Sequence, residues 1–119
     1  MFKFEKLEVW KDSVSLTKEV YKITKDYPKS EQYNLVSQLR RASNSISLNI
    51  AEGSVRRTDK DFSYYLVRSL GSLFELVSAL RISRDLSYIK SNQYNYLYKS
   101  SEILAKRLNS FITKLKSKG

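Results

Sequence analysis

The sequence predicts an all-α fold, one antiparallel, up-and-down four-helix bundle, on three observations. Apolar residues recur at alternating three- and four-residue spacing in four separate segments. Only three Gly and one Pro occur in 119 residues, too few punctuation residues for the many turns of an all-β chain. The breaks between segments are short, about four to six residues, which makes consecutive helices antiparallel neighbours.

The first helix is expected over residues 7–25. It carries two apolar stripes, Trp10, Val14, Thr17, Tyr21 and Thr24 on one line and Val9, Leu16, Val20, Ile23 and Tyr27 about 100° around. That arc is wider than one neighbour needs. Pro28 ends the segment by biasing Tyr27 out of the helical region. The second helix, 31–53, is expected to start on Ser30 as N-cap, to bury Leu35, Leu39, Ala42, Ile46 and Ile50, and to stop at Gly53. The third, 59–86, opens with Thr58-Asp59-Lys60-Asp61, a variant capping box, and turns Phe62, Leu66, Ser69, Leu73, Leu76 and Leu80 inward. The fourth, 92–116, is capped by Ser91 and packs Leu97, Ser101, Leu104, Leu108, Phe111 and Leu115, with the terminal Lys116-Ser117-Lys118-Gly119 expected to fray. One domain, 1–119, accommodates all four.

Composition narrows the chemistry. There is no Cys and no His, which removes disulfides, thiolate nucleophiles, imidazole bases and Cys/His metal sites. No catalytic, cofactor-binding or metal-binding residue is expected, and the protein is not expected to be an enzyme. No apolar run reaches the ~20 residues of a membrane span and the N-terminus has no signal-peptide core, so a cytoplasmic location without membrane contact is expected.

The net charge is +10, from 22 Lys and Arg against 12 Asp and Glu, and it points to a polyanionic partner. Half the excess lies in the last quarter, where Lys99, Lys106, Arg107, Lys114, Lys116 and Lys118 face only Glu102. The first four of these point outward from the expected core stripe or to one side of it. Those four are the leading candidates for nucleic-acid contact, although cations near a helix C-terminus also answer the macrodipole. Arg56 and Arg57, just before the third helix, are further candidates for phosphate, with pairing to Glu52, Asp59 or Asp61 the competing reading. On the first helix Lys11, Lys18, Lys22 and Lys25 form a ridge blunted by Asp12, Glu19 and Asp26. Of nine tyrosines, Tyr94, Tyr96 and Tyr98 are the densest group for base stacking, while Tyr21, Tyr65 and Tyr94 lie on or beside core stripes.

Two polar lines border the core stripes: Gln38, Ser45, Asn49 and Glu52 on the second helix, and Arg68, Ser72 and Glu75 on the third. They are expected to form a buried, hydrogen-bonded seam that sets register within the bundle or between subunits. Gly71 lies nearby, and close helix approach would explain a mid-helix glycine that otherwise costs about 1 kcal/mol relative to alanine. A carboxylate pair of Glu52 and Glu75 has no Glu-x-x-His companion of the di-iron kind.

Three segments carry a resemblance: Phe4-Glu5-Lys6-Leu7-Glu8-Val9-Trp10, the string from Gln38 through Arg40-Arg41-Ala42-Ser43 to Asn49-Ile50-Ala51-Glu52-Gly53, and Gly71-Ser72-Leu73-Phe74-Glu75-Leu76. Together they resemble the bacterial four-helix-bundle family that includes the proteins encoded in intervening sequences of 23S ribosomal RNA genes. The resemblance implies a homopentamer of up-and-down protomers. It also implies a fold similar to the accessory protein of diversity-generating retroelements, which binds nucleic acid and a reverse transcriptase. A ring would supply a use for the second stripe of the first helix, since each protomer then buries two lateral faces. The functional expectation is a non-catalytic, homo-oligomeric module that binds RNA or DNA with low sequence specificity. The alternative is a structural or adaptor module whose partner is a protein.

Overall fold

The computed structural model describes residues 1–118 and is four antiparallel helices, with no strand among those residues. They are α1 (Glu8–Thr24), α2 (Leu35–Ser54), α3 (Asp59–Asp85) and α4 (Ser91–Lys118). Contacts run α1–α2, α2–α3, α3–α4 and α4–α1, and no close backbone approach joins the diagonal pairs among the described residues. That is the square of an up-down-up-down bundle, 46 × 22 × 21 Å along its principal axes.

A 3₁₀ turn at Lys3–Lys6 precedes α1 and places Phe4 edge-on against Trp10, ring centroids 4.9 Å apart. Val9, Leu16, Val20 and Ile23 of the expected stripe form the buried face of α1, and Tyr27 is buried just beyond its end. The other stripe is half-buried against α2 of the same chain. Thr17 Oγ1 bonds to Ser43 O at 3.1 Å, Asn44 donates to the Tyr21 hydroxyl at 2.7 Å, and Arg40 Nε donates to Thr24 Oγ1 at 3.0 Å. Part of the wide arc of α1 is therefore used inside the protomer, while Tyr21 stays exposed.

Helix α2 begins four residues later than expected, because Lys29–Glu31 is a 3₁₀ turn and Asn34, with φ −118° and ψ −102°, breaks the path before Leu35. Residues 32–34 are exposed, so no packing pays to hold them helical, and the helix starts where Leu35 and Val36 first reach the core. Ser30 is thus not its cap. Nor does Gly53 act as a left-handed stop: no glycine among the described residues has positive φ, and α2 runs through it to Ser54. A Cβ at Gly53 would lie 2.8 Å from Tyr65 Cβ and 2.9 Å from Phe62 Cδ1. This glycine is there so that α3 can touch α2.

Thr58 caps α3 by accepting from Asp61 N at 3.1 Å. The helix ends in a Schellman motif, with Tyr88 N bonded to Ser83 O, Ser87 N bonded to Arg84 O, and Ser87 at φ 63° where glycine is usual. The motif swings Tyr88 back so that its hydroxyl donates to Glu31 Oε2 at 2.9 Å and its ring meets Tyr27. That hydrogen bond to a carboxylate raises the Tyr88 phenol above its ordinary pKa.

Helix α4 runs from Ser91 to Lys118, two residues beyond the expected end, and Gly119 lies outside the described residues. Its inward face matches the expected stripe with Ile112 added, and Phe111 is only half-buried. Leu39, Ile46, Leu66, Leu76, Leu80, Leu104 and Leu108 are fully buried and form the spine of a single core.

Candidate nucleic-acid interface

Lys99, Lys106 and Lys114 lie along the outer face of α4, all exposed and without a carboxylate within ion-pair distance among the described residues. A helix that buries Leu97, Leu104, Leu108 and Leu115 must turn the opposite side to water, and that side carries these lysines. Arg107 is set apart from them: its guanidinium bonds to Asp12 on α1, so part of its field is spent on holding α4 to α1.

Arg56 and Arg57 part company in the same way. Arg56 is ion-paired with Glu52 one turn back and lies over the Tyr65 ring at 5.1 Å, whereas Arg57 is exposed with no carboxylate partner among the described residues. On α1, Lys18 and Lys22 are exposed, as is Lys25 at its C-cap, and Lys11 is engaged by Glu8 at 3.6 Å.

The seven seam residues do converge, but on the surface. Gln38, Ser45, Asn49, Arg68, Ser72 and Glu75 line a groove of about 750 Å³ between α2 and α3, and Glu52 borders its extension toward Tyr65. Ser72 Oγ donates to Ser45 Oγ at 2.9 Å, and Asn49 Nδ2 donates to Ser45 O and Oγ at 2.9 and 3.1 Å. Gln38, Glu52, Arg68 and Glu75 are exposed, so within the protomer the seam is open rather than buried. The buried cross-link between the two helices is supplied by Ser69, whose Oγ donates to Ile46 O at 2.8 Å. Gly71 lies on the groove with nothing within 4 Å of where a Cβ would be, so close approach does not explain it. The physical reason is angular: these residues sit just outside the arc that the leucines occupy, where two cylinders already curve apart.

Tyr94 is buried, while Tyr96 and Tyr98 are exposed, so the densest tyrosine group is divided by burial. Tyr21, expected to pack, is partly exposed and covered by Arg40 at 4.6 Å. A different aromatic group stands out in three dimensions. Tyr64 and Tyr65 meet edge-on at 5.3 Å with Arg68 over both rings. Sequence alone did not single out Tyr64 or Arg41; the signal was present as Tyr64 and Arg68 one helical turn apart.

The family model of the 23S rRNA-intervening sequence proteins matches residues 5–110. The chain belongs to that family. Its fold is also that of a crystal structure of a protein of unknown function from the S23 ribosomal protein family of Bacteroides thetaiotaomicron. The TM-score is 0.78 at 24% identity, over 87% of this chain and 97% of that one. No curated protein matches the chain. Family membership fixes the four-helix architecture and leaves the activity to be argued from the surface. Among the described residues no helix is long and apolar enough to cross a membrane, and no cluster of three His, Cys, Asp or Glu has metal-site geometry.

Proposed function

We propose that this member of the 23S rRNA-intervening sequence protein family is a non-catalytic, homo-oligomeric module that binds RNA or DNA through phosphate contacts with little sequence preference. The observation that carries the reading is the unneutralised charge. A net +10 is displayed on exposed side chains, with Lys99, Lys106, Lys114 and Arg57 free of carboxylate partners among the described residues. Arg107 and Arg56 contribute as donors already steadied by Asp12 and Glu52. Phosphate neutralisation releases counterions and needs no base-specific geometry.

Self-assembly, as a homopentamer, is the second half of the reading. Its support on the protomer is the furrow between α3 and α4, lined by Leu73, Phe74, Val77, Tyr98 and Ala105, in which Phe74 is 62% exposed and the buried Ser101 hydroxyl has no partner among the described residues. Apolar surface of this kind marks association sites. A ring repeats each weak basic patch, and avidity multiplies its affinity.

The test is a titration of structured RNA and duplex DNA across a salt series, with light scattering on the same samples. Affinity should fall steeply with salt, and Lys106→Glu should weaken all sequences alike and reduce the salt slope by about one. A flat salt response would instead favour the protein adaptor, and a monomer at micromolar concentration would remove the assembly.

A further inference from the structure

Where α2 hands over to α3, side chains from three parts of the chain meet. Arg68 lies 5.9 Å from the Tyr64 ring centroid and 5.7 Å from that of Tyr65, and Arg56, from the connecting loop, lies 5.1 Å from Tyr65. From α2, Arg41, Asn44, Leu48 and Asn49 line a shallow hollow together with Tyr65 and Arg68, and Tyr64 and Arg56 adjoin it through their contacts with Tyr65. The same hollow includes one carboxylate, Glu52, which Arg56 engages. Arg41 and Arg68 have no carboxylate within ion-pair distance among the described residues.

This set differs in kind from the lysine stripe of α4. Lysines offer point charges, which any polyanion satisfies. A guanidinium laid over a ring is held in orientation while its N–H edge stays free for a bidentate phosphate contact. Tyr64 is 57% exposed on a helix that is itself anchored in the core, so its ring is a steady platform open to solvent. Asn49 commits Nδ2 to Ser45, which leaves its side-chain carbonyl as an acceptor beside the hollow. A rigid exposed ring, oriented guanidiniums and an amide edge together suit a base with a free face, and bases in a duplex have none.

We propose that this hollow and the exposed Tyr64 ring adjoining it bind an unpaired stretch of nucleic acid, with a base stacked on Tyr64 and flanking phosphates held by Arg68 and Arg41, which line the hollow. The inference rests on the nucleic-acid reading above and narrows it to single-stranded segments. It assigns the strand preference to α2 and α3, while the α4 lysines supply the non-selective attraction.

Fluorescence anisotropy at low salt, with labelled oligo(U), oligo(dT) and a duplex of the same length, tests it. Tyr64→Ala should weaken both unpaired probes about tenfold or more and leave the duplex unchanged, as loss of one stacked base would. Tyr64→Phe should bind like the wild type, because stacking uses the ring and not the hydroxyl. Tighter binding of oligo(U) than of oligo(dT) would identify RNA as the source, and equal binding would admit either. If Tyr64→Ala weakens all three probes equally, or none, the stacking site is overturned while phosphate binding that responds to Lys106→Glu stands. If no probe binds at low salt, both readings fall.

Discussion

Two glycines show opposite conditions at the α2–α3 contact. At Gly53 the missing Cβ is what lets the helices touch, since an added methyl would press on Tyr65 and Phe62. At Gly71 the missing Cβ meets open space and only deepens a polar groove. The same residue type therefore does packing work at one place and surface shaping at the other. Spacing along the chain does not separate the two, because both fall on helices beside core stripes. What separates them is whether another side chain stands against the missing Cβ, as Tyr65 and Phe62 do at Gly53 and none does at Gly71.

The contrast can be broken by experiment. The largest effect is expected at Gly53→Ala, where overpacking should destabilise the fold by about 1–3 kcal/mol despite alanine's better helix propensity. Urea denaturation reads it, and a gain in stability would show that α3 can retreat at no cost. Ser69→Ala should cost about 1 kcal/mol, as the buried bond to Ile46 O is lost. A loss no larger than that of Ser72→Ala in the open groove would mean that burial at Ser69 contributes nothing extra. The smallest effect has the opposite sign: Gly71→Ala should stabilise the isolated protomer by about 0.5–1 kcal/mol through backbone entropy and helix propensity. If thermal melts show Gly71→Ala to be destabilising, the groove is filled in solution, and the glycine is serving a contact that the protomer alone does not contain.

The legible part of the fold followed from hydrophobic period. Every residue assigned to the inward face of α3 is buried, and the α2 stripe from Leu35 to Ile50 is buried as well. The illegible parts were those in which local chemistry competes with packing. Ser30 is a good cap by type, yet α2 waits for Leu35 because nothing beneath residues 32–34 holds a helix there. Ser87 occupies a left-handed position usually filled by glycine, so the Schellman stop after α3 left no mark in composition. On α1, two stripes suggested an external neighbour, and the structure gives one to the core and ties Thr17, Tyr21 and Thr24 of the other to α2.

The candidate surface divides along the same line. That Lys99, Lys106 and Lys114 share a face follows from a 3.6-residue turn and needs no fold. That Arg107 is tied to Asp12 across 95 positions of chain, and that Arg41 comes to lie beside Arg68 and Tyr65, required helices to be set side by side.

By itself, then, the sequence determined the number and order of the helices and their inward stripes, the bundle class, the basic character and the absence of imidazole and thiol chemistry. All of these are set by residue type and by periodicity within one helix. Only the tertiary structure decided that the polar seam opens to solvent, that Gly53 rather than Gly71 is a contact, and that an arginine–tyrosine hollow exists. Each of those depends on the angle at which one helix faces the next, and that angle comes from how the leucines of all four pack together.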